Sequence, residues 1–141
     1  MLSTEFNDVY LEAIYKADIK ILLDLFRDNI IFKLTGADRI QNDFKDGGKF
    51  YLEFNSRGNI HGQFLKISEN EIILDWNVNG FNRRDESNTI VQITLIQEKE
   101  NCKLIINHKN ILSKESSEAK RKAWTEIFED IGKYLNNNNQ Q

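Results

Sequence analysis

Residues 89–135 read TIVQITLIQEKENCKLIINHKNILSKESSEAKRKAWTEIFEDIGKYL, and a change of period inside this stretch decides the architecture. In residues 89–97, Val91, Ile93 and Leu95 alternate with Gln92 and Thr94. In residues 102–110, Cys102, Leu104, Ile106 and His108 share one face. A period of two with one apolar and one polar face describes antiparallel strands buried on one side only. From about residue 115 the period lengthens. Ala123, Trp124, Ile127, Phe128, Ile131 and Leu135 form the apolar stripe of a long helix over 115–135. Ser113 or Ser116 can cap it, and Glu115 and Glu118 suit the positive end of the helix dipole.

Upstream the alternation continues. Ile72, Leu74 and Trp76 share a face, as do Ile60, Gly62 and Phe64. In residues 49–55, Phe50, Leu52 and Phe54 point one way, Tyr51 and Glu53 the other. Asp46-Gly47-Gly48 reads as a tight hairpin turn before it, closing a short strand over 37–44. Residues 56–59 and 68–70 turn the chain. A longer polar loop spans 77–88, with Gly80 and the charged run Arg83 to Glu86. At the start, residues 5–15 suit a strand. Asp18 can cap a helix carrying Ile19, Leu22, Leu23 and Phe26. A second short helix over 29–34 carries Ile30, Ile31, Phe32 and Leu34 and ends at Thr35-Gly36. The order is strand, two short helices, about six strands, long helix. A sheet with one apolar face buries it best by curving around the amphipathic helix. Such a grip is expected to leave a space, its mouth closed by the short helices and the 77–88 loop.

Composition excludes several functions. The chain has 141 residues, enough for one domain over 1–135, and the Asn/Gln tail 136–141 is expected to be disordered. Charged residues make up 29% with a formal net charge of −3, which does not suit nucleic acid. Lys120, Arg121 and Lys122 read as a solvated helix face. One cysteine, Cys102, rules out an internal disulfide and paired-cysteine metal sites, and it points to a reducing, cytoplasmic setting. The first residues lack a signal-peptide pattern, and no stretch approaches the roughly 20 apolar residues that span a bilayer. Without proline, turns must rely on Gly, Asn and Asp.

The ordered set Phe44-Lys-Asp-Gly-Gly-Lys-Phe50, Gly62-Gln-Phe64, Ile72-x-Leu-Asp-Trp76, Leu104-Ile-Ile-Asn-His108 and Trp124 also resembles a known signature. It is similar to the heat-shock-protein-90 ATPase activator homologue-like branch of the START-like (SRPBCC) superfamily, over roughly residues 5–135. The resemblance implies an α+β helix-grip fold: a curved antiparallel sheet of six to seven strands around a C-terminal helix. It also implies a cavity for lipids or other hydrophobic small molecules. Two features depart from the family pattern. Phe32 stands about where the family commonly has tryptophan, and the proline that commonly precedes the first helix is absent. The separate chaperone-binding domain of eukaryotic co-chaperones is not in this sequence.

Candidate pocket-lining residues are therefore Phe50, Leu52, Phe54, Phe64, Leu74, Trp76, Val91, Ile93, Leu104, Ile106, His108, Trp124 and Phe128. Any one of them is more often plain core, but together the aromatics suit a pocket wall. Strand parity points His108 inward, as a ligand anchor or, the favoured reading, as a core histidine satisfied by neighbours. No inward carboxylate accompanies it. Cys102 shares its face but lies six residues away, about 20 Å along a strand. His61 falls on the outer face. Arg83 and Arg84 could offer a cation from a lid, although a solvated connection is the simpler reading. The expected function is non-catalytic binding of a hydrophobic or lipid-like molecule, with no cofactor or metal. The alternatives are a chaperone-associated interaction linked to stress response, and a cyclase or hydrolase in the same pocket. Either a monomer or a homodimer fits.

Overall fold

In a computed structural model that describes residues 7–81 and 85–139, the alternating segments pair into one sheet. The elements are β1 (Val9–Tyr15), α1 (Ile19–Arg27), α2 (Ile30–Leu34), β2 (Arg39–Asn42), β3 (Lys49–Glu53), β4 (Gly58–Ile67), β5 (Glu71–Gly80), β6 (Glu86–Glu98), β7 (Asn101–Lys109) and α3 (Lys114–Asn139). The seven strands lie in the order β1-β7-β6-β5-β4-β3-β2, all neighbours antiparallel. Six of them form a meander, and β1 closes on β7 with Val9 opposite His108 and Tyr15 opposite Cys102. This is the helix-grip arrangement.

Local chemistry explains the joints. The Asp18 carboxylate accepts from the Lys20 N–H at 2.8 Å and so caps α1. Ser113 caps α3, its hydroxyl oxygen accepting from the Ser116 N–H at 3.0 Å. Asparagines take the left-handed backbone that a proline-free chain needs for reversals: Asn29, Asn55, Asn88 and Asn110 have φ of 68°, 50°, 65° and 67°. Gly62 sits where the β4 ladder meets the Asp75 backbone. A Cβ there would stand 2.0 Å from the Asp75 carbonyl oxygen, so only glycine fits without a shift.

Several boundaries differ from the sequence pattern. β1 begins at Val9, and residues 5 and 6 lie outside the described residues. β2 covers 39–42 only. The Asp46-Gly47-Gly48 segment is not a two-residue hairpin. The Gly47 N–H donates to the Phe64 carbonyl at 2.7 Å, and the Phe64 N–H donates to the Gly48 carbonyl at 2.8 Å. The connection thus leans on β4 and gains its hydrogen bonds there.

The 77–88 loop shrinks most. β5 runs to Gly80 and β6 starts at Glu86, so most of that segment is strand. Asn77 and Asn79 pair with His61 and Asn59 across β4. Cross-strand backbone bonds outweigh the poor strand propensity of asparagine. Arg83 and Arg84 lie outside the described residues. α3 continues to Asn139, because no glycine or proline follows Leu135 to stop it, so 136–139 of the predicted tail are helical. Residues 140 and 141 lie outside the described residues.

Candidate functional site

The inner face of the sheet meets α3 through a continuous file of rings. Phe32 of α2 stacks on Phe50 with centroids 5.5 Å apart and planes within 7°. Phe50 then contacts Phe64 at 5.7 Å and Trp76 at 5.6 Å, and Trp76 contacts Trp124 of α3 at 5.4 Å. These separations fall in the favourable range for aromatic pairs, about 4.5–7 Å. Every predicted pocket-lining residue, from Phe50 through Val91 and Leu104 to Phe128, is buried. Phe32, where a tryptophan was expected, belongs to the same file.

The rings of Phe50, Trp76 and Trp124 thus meet one another between the sheet and α3. Two depressions lie elsewhere. One, of about 480 Å³, is lined by Gln41, Tyr51, Asn59, His61 and Asn79, and its neighbour by Arg39, Tyr51 and Glu53. Both open on the outer face of β2–β5. His61 is half-buried there, its Nε2 3.1 Å from the Asn79 amide nitrogen.

His108 points inward, as parity requires, and is fully buried. The Trp124 indole N–H donates to its Nδ1 at 3.1 Å. That leaves Nε2 as the protonated nitrogen, and it donates to the Thr89 hydroxyl at 2.9 Å. The Thr89 hydroxyl in turn donates to the Trp76 carbonyl at 2.5 Å. Both ring nitrogens and the Thr89 hydroxyl are engaged in this Trp124–His108–Thr89–Trp76 relay, so the imidazole ties β7, β6, β5 and α3 together. Burial, helped by the nearby positive charge of Lys120, pushes the His108 pKa down to about 3. A neutral ring with both nitrogens engaged is a structural bridge. It has no free lone pair for a substrate proton.

The polar residues beside it were not singled out by sequence reasoning. Lys120, read as part of a solvated face with Arg121 and Lys122, is largely buried, while those two neighbours are exposed. Its ammonium lies 2.5 Å from a Glu86 carboxylate oxygen and 3.0 Å from the Ser116 hydroxyl, and that hydroxyl donates to the same carboxylate oxygen at 2.8 Å. The available signal was spacing: Lys120 precedes Trp124 by one helical turn and so shares its inward stripe. Ala123, counted in that stripe, is exposed.

Cys102 is fully buried, and burial raises its thiol pKa. It pairs with Tyr15 across β1, at the opposite end of β7 from His108. Asp75 lies on the outer face and accepts from the Asn77 amide at 2.9 Å. Among the described residues no group of three or more His, Cys, Asp or Glu side chains is placed to hold a metal ion. No described helix is long and apolar enough to cross a membrane.

A family model described as activator of Hsp90 ATPase homolog 1-like protein matches residues 31–136, from α2 to the last turns of α3. The chain belongs to this family. The activator-homologue branch read from the residue set is therefore correct, and solved structures agree on the fold. CalU16 from Micromonospora echinospora superposes with a TM-score of 0.72 at 16% identity, covering 91% of this chain and 75% of that one. Protein MLL2253 from Mesorhizobium loti gives 0.79 at 13% identity, covering 92% and 97%. An HSP90 activator from Plasmodium falciparum gives 0.60 at 24% identity, covering 74% and 73%. At such identities the likeness concerns the fold that this activator-homologue family shares. No curated protein matches the chain.

Proposed function

We propose that this protein is a non-catalytic binding protein for a hydrophobic small molecule, held between the sheet and α3. The observation that carries the reading is the file Phe32–Phe50–Trp76–Trp124, which runs from α2 across the sheet to α3. Such a file offers an apolar ligand ring faces on several sides. Its rings touch one another, so a ligand enters by replacing ring–ring contacts. α2, five residues long, brings Phe32 to one end of the file; the Thr35 hydroxyl donates to the Phe32 carbonyl, and the Asn42 amide donates to the Asn29 side chain at 2.8 Å. The full engagement of His108 supports binding over acid–base chemistry. The lone buried Cys102 suits the reducing cytoplasm.

Intrinsic tryptophan fluorescence tests this directly, because Trp76 and Trp124 both lie in the file. Titration with a cell lipid extract should shift their emission, and Trp76→Ala should abolish ligand retention while the protein stays folded. Retention unchanged in Trp76→Ala would remove the interior from consideration.

A chaperone-linked protein interaction is the second reading. It is favoured by the family itself and by apolar side chains on the outer face of the edge strand, where Tyr10 and Ile14 are 52% and 61% exposed.

A further inference from the structure

The sheet–helix interior is lined by buried side chains over most of its length and by partly buried ones at one end. There Phe54 packs edge-on against Phe81 at 5.3 Å, while Phe81, Ile60 of β4 and Val78 of β5 remain only partly buried. Glu86, the first residue of β6, lies opposite Val78 in the ladder. The inward stripe of α3 changes character at the same place. Phe128 and Trp124 are followed, one turn apart, by Lys120 and Ser116. This apolar end thus carries the Lys120–Glu86 ion pair, whose side chains are 15% and 14% exposed.

Stability does not account for this pair. Removing two charges from water costs about as much as their attraction returns, so a largely buried ion pair adds little net. Among the described residues, Glu86 and Ser116 accept from the ammonium, which has three N–H donors. The charge is also placed to act inward, since it bears on His108.

We propose that the ligand of this interior is an apolar chain or ring system ending in a carboxylate. Lys120 is its counter-ion, and the ligand carboxylate exchanges with that of Glu86. The inference rests on the interior-binding reading above and narrows it to a class, the amphiphilic carboxylic acids. Ser116 supplies a second donor to the incoming carboxylate. The rest of the ligand lies along Phe54, Ile60 and Val78 toward Trp124.

Equilibrium dialysis against myristate and against myristyl alcohol distinguishes the possibilities, using the full chain, Lys120→Met and Glu86→Gln, with thermal melts to confirm folding. The native protein should prefer myristate by about tenfold or more, a difference of about 1.4 kcal/mol. Lys120→Met should erase that preference. Glu86→Gln should tighten myristate several-fold and leave the alcohol unchanged, because the internal competitor is gone. A merely structural pair predicts the opposite for Glu86→Gln, weaker binding of both ligands, so this variant decides the matter even if Lys120→Met does not fold. Equal binding of acid and alcohol by the native protein overturns the carboxylate assignment and leaves the interior reading standing. Binding of neither overturns the interior reading for chain-like ligands, and this inference with it.

Discussion

A neutral imidazole clamped by Trp124 and Thr89 makes His108 an acid-sensitive point in the core. Its folded pKa, about 3, lies below the value of about 6.5 for a free histidine. As pH falls below the free value, the unfolded chain takes up a proton that the folded chain refuses. Stability supplied by this group is therefore complete above the unfolded pKa and lost progressively as pH drops toward the folded one. Each pH unit in that window removes about 1.4 kcal/mol. Urea denaturation at about pH 7 and about pH 5 should show a loss of about 2 kcal/mol attributable to His108. His108→Phe should lose that part of the slope, at a fixed cost of about 1–3 kcal/mol for the orphaned Trp124 N–H. An identical slope in the variant would show that the proton is taken up elsewhere. Alternation alone placed His108 inside. Its partners Thr89 and Trp124 come from β6 and α3, and single-strand parity carries no information about which strands and helices face each other.

At the scale of elements, strands with clean alternation were legible and asparagine-rich ones were not. β7 emerged near its observed bounds, and so did the body and far end of β6, because Val91, Ile93, Leu104 and Ile106 meet the same core. The ends of β5 and β6 were hidden, since Asn77, Asn79 and Asn88 read as turn residues and are held by pairing that only the assembled sheet supplies. Lys120 was missed for a related reason. A charge within a basic run reads as solvated, and only its spacing from Trp124 and the arrival of Glu86 from β6 show otherwise. Caps were legible because they are local. Asp18→Ala should destabilise the protein by about 1 kcal/mol through loss of the α1 cap, measurable as a lowered denaturation midpoint with unchanged slope. No change in midpoint would mean that packing of Leu22, Leu25 and Phe26 alone holds α1.

For the whole molecule, the sequence led to the grip itself: a sheet whose apolar face must be covered, and one long stripe to cover it. Whether that grip encloses space or side chains depends on ring placement to within an ångström or two, and alternation does not encode that. The observed arrangement is a file of touching rings and, at one end, a partly buried apolar set beside the Lys120–Glu86 pair. On this account the file is both core and binding site, and a ligand takes the place of contacts that the rings otherwise make with one another. Native mass spectrometry of the protein freshly isolated from its own cells tests this most directly. The account predicts a retained hydrophobic small molecule, released on unfolding. A bare chain, both as isolated and after incubation with lipid extract from the same cells, would contradict it and leave the interior as core alone.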